Sequence, residues 1–173
     1  KSKNNAGRHT LRTLPVIGKI PAGTPLNILP APADFISMER IRIDDKDHCV
    51  VSLLRGEKIV NLPQRGQFYY LLRVSGNSMN KCSAEPIEDG DYVILREQYI
   101  ADNGDIVAAI IVKINGEDPQ ATLKRYVVRD WKIFLQPESD DPEFQKPVFS
   151  QSFANPNDEF QIRGVAIAVL KPL

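Results

Sequence analysis

No stretch of a dozen residues in this chain keeps a clean 3.6-residue apolar period, whereas eight short runs are dense in β-branched and aromatic residues. They are VIGKI (16–20), HCVVSLL (48–54), QFYYLLRV (67–74), DYVILRE (91–97), GDIVAAIIV (104–112), ATLKRYVV (121–128), WKIFLQ (131–136) and FQIRGVAIAVL (160–170). Gly, Pro, Asn and Asp clusters separate them at the intervals of meanders and barrels. The chain therefore reads as mostly β, a barrel-type fold of short, twisted antiparallel strands with little helix. Helix is confined to a turn or two just after Ser78 and around Ala33 to Glu39. The region 24–66 carries Pro-containing turns and only weak strand signals. The acidic, Pro-bounded loop 137–148 reads as a solvated turn.

A chain of 173 residues suffices for one well-buried core. Residues 1–13 are basic, polar and aperiodic, as a flexible arm or linker remnant is, and residues 14–173 form the domain. Lys plus Arg balances Asp plus Glu at 22 each, so no basic field announces a nucleic-acid partner, and any DNA is held by another segment. Cys49 and Cys82 match neither a zinc site nor a disulfide framework, which points to a reducing, cytoplasmic setting. The longest apolar run, 106–112, is too short for a membrane span. The first residue is Lys, as in a piece of a longer product.

Two residues have contexts that suggest chemistry. Ser78 sits in VSGNSM (74–79), a small-residue turn after an apolar strand; such a serine is either a turn former or a nucleophile awaiting a base. Lys124 lies inside ATLKRYVV, where strand alternation puts Thr122, Lys124 and Tyr126 on one face and Leu123, Arg125 and Val127 on the other. If the Lys124 face is buried, desolvation lowers the amine's pKa and makes it a usable base. Arg125 cannot serve, because guanidinium keeps its proton.

The ordered set VSGNSM, IEDGDYVIL, GDIVAAI, TLKRY, IFLQPES and FQIRGVAIAVL resembles the self-cleaving C-terminal domain of LexA-type repressors, a serine/lysine peptidase family that includes phage repressors and UmuD. The resemblance covers about residues 14–173. It implies Ser78 as nucleophile, Lys124 as general base, and the backbone N–H groups of Asn77 and Ser78 as oxyanion donors, with no cofactor and no metal. The segment LPVIGKIPAGTPL (14–26) is similar to the one family members cut in themselves, which implies a scissile bond between Ala22 and Gly23. Val16, Ile17 and Ile20 would anchor that segment.

By the same resemblance the chain is expected to form a homodimer, to be induced by a RecA filament on single-stranded DNA in the DNA-damage response, and to bind DNA through an upstream domain it lacks. The connection from Gly23 to Ser78, KCSAEP after the nucleophile and KINGEDPQ before the lysine strand look like loop insertions, which β scaffolds tolerate.

Other readings compete. A UmuD-like polymerase accessory factor would lose its N-terminal arm by the same cleavage, and a non-catalytic dimerisation or sensing module would keep only the fold. SMNK also satisfies Ser-x-x-Lys, with Lys81 as partner, but the further β-lactamase elements are missing. A signal peptidase would need a membrane anchor. His9 and His48 read as surface or packing residues rather than metal ligands. Trp131 and Phe68, Tyr69 and Tyr70 read as core.

Overall fold

The structure, a computed structural model, describes residues 13–21, 39–43, 47–53, 67–111, 120–144, 148–150 and 160–173. The arm 1–12, the expected helical turn beginning at Ala33, His9 and the bond Ala22–Gly23 lie outside the described residues. Ten strands appear: β1 (Thr13–Pro21), β2 (Arg40–Arg42), β3 (His48–Ser52), β4 (Tyr69–Ser75), β5 (Tyr92–Glu97), β6 (Ile106–Ile111), β7 (Gln120–Arg129), β8 (Lys132–Gln136), β9 (Val148–Ser150) and β10 (Phe160–Pro172). All eight apolar runs of the sequence form strands, and β2 and β9 are added where periodicity carried no signal. One 3-10 turn, Pro142–Phe144, is the only helical element among the described residues.

The strands share one sheet in the order β2-β1-β4-β5-β10-β6-β7-β8-β9, with β3 on β10, and the path does not return to its start. Pairing is antiparallel throughout except for β1, which runs parallel to β4. The longest strand, β10, holds the sheet together by changing neighbours. Its first half pairs with β6 and its second half with β3, while β5 spans the middle. Register shifts at Ile162/Gly164 and Ala166/Ala168 let it bend between these partners. Gly164 through Leu170 are buried without a break, the mark of a strand covered on both faces.

One close approach constrains this centre. A Cβ on Gly164 would lie 2.5 Å from the Tyr70 hydroxyl and 3.1 Å from the Arg96 carbonyl oxygen. Tyr70 is fully buried and donates its hydroxyl to the Arg163 carbonyl at 3.1 Å, so it has nowhere to retreat. Gly164→Ala is expected to destabilise the protein by about 1–3 kcal/mol through overpacking, read as a fall in the urea midpoint.

Tyr69 and Tyr70 lie in the core and Phe68 stacks on Tyr70, as expected. Trp131 does not: it is 85% exposed at the β7–β8 hairpin tip. Asp130 and Trp131 are the two central residues there, with φ of 52° and 62°, the left-handed pair a two-residue hairpin needs. No glycine marked that turn in the sequence, so the aromatic was assigned to the strand that begins one residue later. His48 meets Tyr92 edge-on at 6.0 Å between ring centroids, a packing role.

Candidate active site

β4 delivers the serine. It ends at Ser75, and Gly76 turns the chain with φ of 88°, a left-handed conformation that strains any other L-residue. The Gly76 N–H donates to Asp89 Oδ1 at 2.8 Å. Residues 78–81 are turns rather than the expected helix, closed by bonds from Asn80 N–H to Asn77 O (3.4 Å) and from Cys82 N–H to Met79 O (3.1 Å). Met79, Cys82 and Ile87 are buried beneath the turn and leave Ser78 half-exposed above them. Asp91, itself buried, accepts from Glu88 N–H and from Lys171 Nζ and so fixes the return into β5.

β7 delivers the lysine from across the sheet. Lys124 is opposite Val107 of β6 and only 7% exposed, and with Ala121, Thr122 and Leu123 buried as well, both faces of β7 are covered at this point. Burial lowers the amine's pKa from 10.5 to about 8. Its Nζ donates to Thr122 Oγ1 at 2.5 Å and to Leu123 O at 3.1 Å. The Ser78 hydroxyl donates to the same Leu123 oxygen at 3.5 Å. One carbonyl thus gathers the hydroxyl and the amine, two groups 46 residues apart in the chain. Sequence reasoning missed Thr122 as an amine partner, although its place two residues before Lys124 was a usable signal.

Arg125, on the opposite face, is no free cation. Its guanidinium donates to Glu138 Oε1, Gly104 O, Ser83 Oγ and Cys82 Sγ. Glu138 belongs to the loop expected to be a solvated turn; Asp140, Pro142 and Glu143 are exposed there, but Glu138 is turned onto the site. Glu138 N–H donates to Ser78 O at 2.9 Å, Lys81 N–H donates to Glu138 O at 2.8 Å, and Asp140 bonds with Asn80. The backbone and amide groups of the Ser78 turn need partners, and the acidic loop supplies them. Lys81 points elsewhere: its side chain is 63% exposed and pairs with Asp140 at 3.5 Å.

The segment that resembles a self-cleaved stretch is paired with β4 as far as it is described. Leu14 and Pro15 are buried, Val16 and Ile17 pack against two different core clusters, and the register shifts between Val16 and Gly18. Beyond the shift the register runs Gly18↔Leu72 to Pro21↔Ser75. Because β1 and β4 are parallel, the last paired residue of β1 is Pro21, beside Ser75 at the end of β4. Among the described residues no group of three or more His, Cys, Asp or Glu is placed to hold a metal, and no helix is long and apolar enough to cross a membrane.

Comparison with known proteins agrees with this layout. The Peptidase S24-like family matches residues 15–167. The LexA repressor of Frankia alni is 35% identical over 95% of this chain and 49% of its own length. Those of Geobacillus sp. and Cereibacter sphaeroides are 34% and 37% identical over 76% of this chain, covering 50% and 46% of theirs. The chain spans about half the length of the curated relatives it matches. A match that runs from the docked β1 through Ser78 and Lys124 into β10 leaves one assignment: the chain belongs to the Peptidase S24-like family.

Proposed function

We propose that this chain is the self-cleaving, dimerising portion of a LexA-like repressor, with Ser78 and Lys124 cutting the bond between Ala22 and Gly23. The observation that carries the reading is the parallel register ending at Pro21↔Ser75, which pairs the residue just before Ala22 with one three residues before Ser78.

Neutral Lys124 Nζ takes the Ser78 proton as Oγ attacks the Ala22 carbonyl carbon. The oxyanion is held by the N–H groups of Asn77 and Ser78. The resulting ammonium gives its proton to the Gly23 nitrogen, which departs as an amine. A water molecule, deprotonated by the same lysine, then hydrolyses the Ala22 ester and restores Ser78. A small residue at the carbonyl side suits a strand that must bring its backbone up to a hydroxyl recessed over Met79.

With its pKa near 8, the lysine is mostly charged at neutral pH, which slows cleavage until the amine is deprotonated. An inducer acts only through a higher affinity for the cleavage-ready state; a RecA filament on single-stranded DNA is the inducer the LexA relatives suggest. Cleavage would separate everything before Gly23, including an upstream DNA-binding region, from the dimerising domain. The LexA names of the relatives favour this role over a UmuD-like one. Mass spectrometry of the chain after incubation at alkaline pH is expected to show two products that meet between Ala22 and Gly23. A break elsewhere, or intact protein at every pH, overturns the assignment.

A further inference from the structure

We infer that Arg125 and Glu138 form a brace that positions Ser78 against Lys124, a role resting on the dyad proposed above. Neither side chain touches the reacting atoms, so both are positioning residues. The need for a brace comes from the weakness of the direct link: between the two catalytic elements, the Ser78 hydroxyl makes only one long bond, 3.5 Å to Leu123 O. That contact alone does not hold a nucleophile to the tolerance proton transfer requires.

The stronger connection runs the other way round the site. Arg125 follows Lys124 in β7, and its Nε and terminal nitrogen reach Glu138 Oε1 at 2.7 and 2.6 Å. The two side chains are 19% and 22% exposed, so the pair is shielded more than a surface bridge and is charge-assisted. The backbone of Glu138 grips both ends of the nucleophile turn, donating to Ser78 O and accepting from Lys81 N–H. The path from base to nucleophile is therefore one peptide unit, one ion pair and one backbone bond.

Further Arg125 bonds tie the same guanidinium to Gly104 O, Ser83 Oγ and Cys82 Sγ. An arginine fits because its planar fork can serve these partners at once, whereas an ammonium is a single point of charge. Asp140 adds a second grip through its paired bonds with Asn80, independent of the ion pair.

The test is the rate of self-cleavage of this chain against pH for Glu138→Ala, Arg125→Lys and Glu138→Gln, with wild type and Ser78→Ala as references and a thermal melt of each. Glu138→Ala and Arg125→Lys are expected to lower the alkaline plateau about tenfold or more while leaving the midpoint in pH where it was, because Lys124 stays buried. Glu138→Gln retains an acceptor for Arg125 and is expected to recover most of the plateau. Wild-type rates in both disrupting variants overturn the brace and leave the dyad standing. So does a plateau loss in all three variants with the midpoint drifting upward and the melt collapsing, since that reports water entering a loosened fold. Failure of wild type itself to cleave refutes the dyad, and this inference with it.

Discussion

Self-cleavage is expected to rise about tenfold between pH 7 and pH 9, through a midpoint near 8, and to fall by a factor of about 10²–10⁴ at pH 9 when Lys124 is replaced by alanine. The direction follows from the cause. Burial disfavours the ammonium form, so the neutral amine appears more than two pH units below where an exposed lysine would supply it. Lys124→Arg should be as inactive as Lys124→Ala at every pH, because guanidinium cannot take the proton. Ser78→Ala should yield no product at all, since no oxygen remains to attack. Product mass against time at four or five pH values checks all of these together. A flat profile in wild type, or a Lys81→Ala variant as inactive as Lys124→Ala, would sink the assignment of the base.

The same burial should cost the fold stability, and removing the charge should return it. Unfolded, the Lys124 amine keeps its proton up to 10.5; folded, it releases it near 8. Between those values the unfolded chain binds more protons, so this residue's contribution to stability improves as pH rises through the window. Below it the ammonium is buried, solvated among the described residues by Thr122 Oγ1 and Leu123 O, at a cost on the order of 3 kcal/mol. Lys124→Met, close in volume and without a charge, is expected to stabilise the protein at pH 7 by about 1–3 kcal/mol, the lower end reflecting the donor lost to Thr122. The gain should shrink towards pH 10. Urea denaturation of the pair in a Ser78→Ala background measures it without interference from cleavage, and titrations common to both proteins cancel in the difference. A variant no more stable at pH 7 than its parent would mean that the amine reaches water.

These two predictions describe a single trade. The buried amine on which the proposed chemistry relies is also a weak point of the fold. β7 bears this because its neighbours do not: Leu123 and Ala121 are in the core on one face, and β6 presents Val107 and Ala109, buried and apolar, opposite Lys124 and Thr122.

The positions of the strands were legible in the sequence because β-branched and aromatic runs bounded by turn formers are a local signal, and local signals survive without knowledge of partners. For the same reason VSGNSM could be read as a turn with a candidate nucleophile, and TLKRY as a strand with a cation on each face. Short strands such as β2 and β9 escaped because three residues carry no period. Trp131 was misplaced because a left-handed turn made of Asp and Trp has no glycine to announce it.

What the order of residues settled by itself was which segments extend, where they turn, and which two side chains had the right chemistry for a dyad. That both faces of β7 are covered around Lys124, that one carbonyl gathers the hydroxyl and the amine, and that β1 lies parallel to β4 were decided only by tertiary structure. So was the fate of Glu138: its charge suggested water, but packing turned it onto the Ser78 turn while Asp140 stayed exposed. The reason is that burial and pairing are properties of residues far apart in the chain, and alternation along a strand says which residues share a face without saying whether one face or both are covered.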